Sequence, residues 1–176
     1  MFLEANGILT TSEIDSALNT FTIYKGTYSA DKIPINERKS PQAFIVNTAR
    51  YNSPGEHWIG LIIDERCCYF FDSFGNENLN IDILNKMKQY GFHRYLYNAQ
   101  PIQSVFSENC GYFCIAFILS YIRKVPYDVF LNNFSTDALS NNEICYNLIR
   151  KYISEIYKFT RLFSVVHSSI LLGKPI

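Results

Sequence analysis

Gln103-Ser104-Val105-Phe106-Ser107-Glu108-Asn109-Cys110-Gly111-Tyr112-Phe113-Cys114-Ile115-Ala116-Phe117-Ile118 is the stretch from which the rest of the chain is read. A polar loop gives way at Cys110-Gly111 to an unbroken apolar run. This predicts a buried helix with Cys110 in its first turn and an end near Arg123, ahead of Pro126. Unpaired N–H groups and the positive end of the dipole at a helix start stabilise negative charge, which suits a cysteine acting as nucleophile. A lone cysteine in such a place more often simply packs, as Cys114, Cys67, Cys68 and Cys145 are expected to do. The weight therefore falls on what else the chain offers.

Upstream, His57 opens the apolar run Trp58-Ile59-Gly60-Leu61-Ile62-Ile63, and Asp72 closes the run Cys67-Cys68-Tyr69-Phe70-Phe71. Asp64-Glu65-Arg66 lies between them and predicts a hairpin, which makes the two strands antiparallel. Antiparallel pairing brings the start of one strand beside the end of the other, so His57 and Asp72 are placed to share a hydrogen bond. A thiol nucleophile needs a base for its proton, a third group to orient that base, and donors for the developing oxyanion. Cys110, His57, Asp72 and the Gln103 amide supply one of each. Trp58, next to His57, either walls a cleft beside the nucleophile or packs as an ordinary core aromatic.

In the order His, acid, Gln, Cys, with the pair His57-Trp58 and the spacing Gln103-x6-Cys110-Gly111, the chain resembles the adenovirus-type maturation cysteine proteases. That family shares a clan with the SUMO-specific proteases. Gly26-Thr27-Tyr28 and Ile45-Val46-Asn47-Thr48-Ala49 add to the resemblance, which runs from about Ser12 to Tyr121. It implies an α+β fold with a mixed, largely antiparallel central sheet flanked by helices. It also implies a cysteine endopeptidase that cleaves viral capsid precursor proteins at Gly-containing sites during virion maturation, in the virion and the host cell interior. The alternatives are a protease that removes SUMO or ubiquitin-like modifiers and an inactive protease fold that only binds. The adenovirus scheme, in which a viral peptide is disulfide-linked to the enzyme and DNA is a second cofactor, is not expected to carry over. Ser73 through Asn109, where the pairing cysteine would fall, contains no Cys. No cofactor is expected.

Composition bounds the rest. A chain of 176 residues suits a single domain over 1–176 with one sizeable core. Sixteen basic and sixteen acidic residues cancel, which argues against strong nucleic-acid binding. Five cysteines without CxxC spacing predict reduced thiols and no metal site. Met1 to Asn6 lacks a basic region before an apolar core, and Leu162 to Leu172 is short and interrupted by Ser164, His167, Ser168 and Ser169. A soluble monomer without a membrane span is expected. Elsewhere the pattern predicts a helix over Ser12–Asn19 with Ser12 and Asp15 as its capping pair, and an exposed loop over Lys25–Gln42. It also predicts a strand at Ala43–Asn47, a helix over Leu79–Tyr90 ended by Gly91, a strand at Tyr95–Tyr97, and a long helix from Asn142 with Ile144, Leu148, Tyr152 and Ile156 on one stripe.

Overall fold

The apolar runs flanking His57 and Asp72 form the middle of a five-stranded sheet whose strands lie side by side in chain order. The structure, a computed structural model, describes residues 7–34, 41–65, 67–77, 80–89, 91–92 and 94–171, with side chains through residue 158. The strands are β1 (Tyr24–Ser29), β2 (Gln42–Asn47), β3 (Trp58–Ile63), β4 (Cys68–Phe71) and β5 (Leu96–Tyr97). β2, β3 and β4 pair antiparallel, and the outer strands β1 and β5 join in parallel, so the sheet is mixed.

Both faces of the sheet are covered, which is why β2 and β3 read as continuous apolar runs. Successive side chains point to opposite faces. Ala43, Ile45, Trp58, Ile62 and Phe71 go to one buried cluster, and Phe44, Val46, Ile59, Leu61, Cys68 and Phe70 to the other. The second face is closed by Ile83 and Met87 of α2 (Ile81–Gln89). The first carries α1 (Thr11–Leu18), α3 (Cys110–Ile122), α4 (Tyr127–Leu131) and α5 (Asn141–Leu171). Every residue of α3 from Cys110 to Ser120 is buried, as expected of a helix apolar all round. Its seat depends on Gly60 of β3, where a Cβ would come within 2.6 Å of Phe117 Cδ1. Phe117 fills that gap and stacks on Phe71 with ring centroids 5.0 Å apart.

Several local expectations are corrected. The capping pair of α1 is Thr10 with Glu13: Glu13 N–H donates to Thr10 Oγ at 3.3 Å and Thr10 N–H to Glu13 Oε2 at 2.7 Å. Asp15 instead accepts from Tyr24 Oη at 2.6 Å and Thr27 Oγ at 2.7 Å, tying α1 to β1. The segment Lys25–Gln42 is not all loop, because its first part is β1; residues 35–40 lie outside the described residues. An edge strand that is half exposed, with a register shift between Tyr24 and Gly26, carries too little alternation to be seen in sequence. In α2 the inward stripe is Ile83 and Met87, whereas Ile81 is 59% exposed. Leu79 and Tyr90 lie outside the described residues, and Gly91 takes φ 72°, as a helix terminator should. The short helix α4, started at Pro126, was not foreseen. α5 packs Cys145, Leu148, Ile149 and Tyr152 into the cluster around α3, while the side chains of Leu162–Leu172 lie outside the described residues. Among the described residues no helix is long and apolar enough to cross a membrane, and no group of His, Cys, Asp and Glu could hold a metal ion.

Candidate active site

Three separate pieces of backbone meet at the end of the sheet where β3 begins and β4 ends. His57 directly precedes Trp58 of β3, and Asp72 directly follows Phe71 of β4. Their antiparallel pairing brings His57 Nε2 to 2.8 Å from Asp72 Oδ1. The same Asp72 oxygen accepts the Phe74 N–H at 2.8 Å, and Oδ2 accepts Asn76 Nδ2 at 3.0 Å, so the carboxylate is fixed from three sides. The Cys110 side chain lines the same cleft and, with Asp72, favours the charged imidazole. With Nε2 engaged by Asp72, Nδ1 is the nitrogen left for the thiol. Burial opposes a charged imidazole, but the hydrogen bonds and charges of Asp72 and Cys110 outweigh it and lift the His57 pKa to about 9. Phe74 stacks on the ring at 4.8 Å between centroids, holding its plane.

Cys110 opens α3, whose N-cap Asn109 makes no side-chain capping bond. The helix start is drawn close to its surroundings at Gly111, where a Cβ would meet Leu9 Cβ at 3.1 Å and Trp58 Cδ1 at 3.4 Å. Gln103 is buried, and its amide is oriented without ambiguity. The Ser107 carbonyl can only accept, so the nitrogen must face it, and Nε2 donates there at 2.6 Å. Oε1 then accepts from Ser73 Oγ at 2.6 Å. One N–H of the amide remains beyond these two bonds. Trp58 is mostly buried, donates Nε1–H to the Leu9 carbonyl at 3.0 Å, and shows its remaining surface to the cleft.

His57, Trp58, Gln103 and Cys110 thus line one cleft of about 250 Å³, with Asp72 buried behind His57. A larger hollow of about 650 Å³, lined by Thr27, Tyr28, Arg50 and Tyr51, adjoins it across Asn47, Gly55 and Trp58. Sequence reasoning missed the supports. Ser73 orients Gln103, and buried Asn98 binds the backbone on both sides of Asp72, accepting its N–H at 3.0 Å and donating to its carbonyl. Asn98 is in turn met by Tyr127 Oη at 3.3 Å. A serine beside the acid could have suggested the first role, but no signal marks an asparagine that acts on backbone.

A family model described as adenovirus endoprotease matches residues 24–166. The protease of Fowl adenovirus A serotype 1 is 34% identical over 104 residues, covering 50% of this chain and 50% of that protein. The protease of Avian adenovirus 8 is 30% identical over 132 residues, 67% of this chain and 60% of that protein. The chain thus spans 50% to 60% of the length of these relatives. A selenomethionine crystal structure of an ASFV protease superposes with a TM-score of 0.54 at 18% identity, covering 83% of this chain and 67% of that one, a likeness of fold. With the family match running from the first strand into the last helix, the chain belongs to the adenovirus endoprotease family.

Proposed function

We propose that the chain is a cysteine endopeptidase that cleaves viral structural precursor proteins at Gly-containing sites during particle maturation, in the infected cell and the virion. The observation that carries this is an imidazole bonded to Asp72 at 2.8 Å that shares one open cleft with the Cys110 thiol at the start of α3. His57, Asp72, Gln103 and Cys110 take the roles of base, orienting acid, oxyanion donor and nucleophile.

The Cys110 sulfur, its proton passed to His57, attacks the scissile carbonyl carbon. The carbonyl oxygen takes the negative charge and meets the remaining Gln103 N–H and the Cys110 backbone N–H. The tetrahedral centre collapses to a thioester as the His57 proton goes to the leaving amine. Water then gives a proton to His57, its oxygen adds to the thioester carbonyl, and collapse releases the acid with the proton returned to sulfur. Asp72 holds the ring with Nδ1 toward sulfur throughout. Trp58 lines the cleft with Cys110 and is taken to lie against the residues before the cut, where its bulk would favour Gly.

The test offers the purified protein a Gly-Gly-x peptide and a SUMO or ubiquitin conjugate. Peptide cleavage after Gly, with a peptide vinyl sulfone labelling Cys110 stoichiometrically, is the expected result. Turnover of the conjugate alone would assign removal of ubiquitin-like modifiers instead. Binding without turnover or labelling would leave only an inactive docking module.

A further inference from the structure

The loop between Gln103 and Cys110 holds a large apolar side chain in water. Ser107 N–H donates to the Ser104 carbonyl at 2.9 Å and Phe106 N–H to Ser104 Oγ at 3.3 Å, making a tight turn. Ser107 Oγ donates to Asn142 Oδ1 of α5 at 3.1 Å, which anchors the turn to the helices. At its tip Phe106 is 91% exposed. Covering an apolar side chain of this size is favourable, and the fold leaves that burial unused.

Phe106 borders a hollow of about 440 Å³ that also touches Glu108 and Leu139. Ser107 and Glu108 line both this hollow and the cleft over Cys110, so the two adjoin. Glu108 is exposed, and it forms no ion pair among the described residues. Among the described residues the cleft is bordered by Glu56 and Glu108 and by no Lys or Arg, and His57 in it is turned to Asp72.

We propose that the hollow between Phe106 and Glu108 binds the first residues after the scissile bond and selects Lys or Arg among them. This rests on the protease function above, in which the residues before the cut lie against Trp58; a chain that enters past Trp58 and crosses Cys110 leaves past Ser107. A Lys or Arg side chain matches what it meets there. Its aliphatic stem covers Phe106, and its charged end reaches the ring face and the Glu108 carboxylate. The pairing is at the protein surface, so the preference is moderate and weakens with salt.

Three quenched peptides, identical through the Gly before the cut and carrying Lys, Gln or Glu in the two positions after it, are compared by kcat/KM. The native protein should favour Lys over Glu about tenfold at low salt, with Gln between. Glu108→Lys should reverse the Lys-to-Glu ratio, and Phe106→Ala should shrink the advantage of Lys over Gln. Glu65→Lys, the same charge change at the far end of the β3–β4 hairpin, should leave the ratio alone. Equal rates for the three peptides, an unchanged ratio in Glu108→Lys, or an equal reversal by Glu65→Lys would each overturn the assignment. If no peptide is cut and Cys110 resists a vinyl sulfone, the protease function fails and takes this proposal with it.

Discussion

His57 Nε2 and Asp72 Oδ1 lie 2.8 Å apart although 15 positions separate the residues in the chain. β3 and β4 close that separation, since their antiparallel register brings the first residue before one strand beside the first residue after the other. The imidazole and the carboxylate are therefore held by the ladder of the sheet and by the hydrogen bonds of Phe74 and Asn76 to Asp72.

Cys110→Ala should abolish peptide cleavage with the fold intact, since one small buried residue replaces another at the helix start. His57→Ala should be as severe. Asp72→Asn should lower kcat/KM by about 10²- to 10⁴-fold and leave measurable turnover, because it disturbs only the orientation of the base. Steady-state kinetics on one peptide checks all three, and full activity in Asp72→Asn would remove Asp72 from the site.

The His57 pKa of about 9 has two consequences of definite sign. In the proposed mechanism the leaving amine takes its proton from a charged ring, so kcat/KM should fall as pH rises through about 9. The folded-state value lies above the ordinary 6.5, so the associated stability is complete below about 6.5 and is lost as pH rises through 9. The loss amounts to about 2–4 kcal/mol. Urea unfolding at pH 6 and pH 9.5 should show it in the native protein and much less of it in His57→Ala. Parallel curves for the two proteins would contradict the raised value.

Gln103→Ala should cost about 2–4 kcal/mol of transition-state stabilisation, seen mainly in kcat. In the proposed mechanism its remaining N–H meets charge that exists only after attack. Ser73→Ala should cost less, since the Ser107 carbonyl still holds the amide nitrogen. A change confined to KM in Gln103→Ala would make the amide a substrate-positioning group.

What the sequence disclosed and what it withheld divide along physical lines. β3 was legible because a strand covered on both faces is apolar without interruption, and α3 because a helix buried all round is too. The meeting of His57 with Asp72 followed from one hairpin. β1 was hidden, as it is an edge strand with one charged, one glycine and several half-exposed positions. The cap of α1 was misplaced by two residues because Ser12 and Asp15 have the same side-chain chemistry as the true pair Thr10 and Glu13. The supports Asn98, Ser73 and Phe74 act across 26, 30 and 17 positions of chain, on groups that only folding brings near.

Gly60 sits in a strand, where a glycine is ordinarily a weakness, and a Cβ there would stand 2.6 Å from Phe117 Cδ1. Gly60→Ala should destabilise the fold by about 1–3 kcal/mol through overpacking between β3 and α3. Phe117→Leu should recover part of that loss in the double variant although it is destabilising alone. The urea midpoints of the four proteins measure the coupling. Strict additivity would mean that the strand accommodates the methyl group by moving.

The last prediction concerns activation. All five cysteines are free, four of them buried, and none falls between Ser73 and Asn109, so Cys67 is the one half-exposed sulfur available for a covalent partner. Cys67 precedes β4 at the end away from Asp72, and a peptide fixed there would reach the cleft only along the length of the sheet. With 16 basic and 16 acidic residues, the field of the whole protein steers an anionic polymer weakly. Under reducing conditions, added DNA should therefore change peptide turnover by less than about tenfold, or ~1.4 kcal/mol. Non-reducing mass spectrometry of protein recovered from particles should show no disulfide-linked peptide. If an adduct is found, Cys67→Ser should abolish it. An adduct that survives that substitution, or a large salt-sensitive stimulation by DNA, would mean that a sulfur or a basic surface buried in this arrangement is opened before the enzyme works.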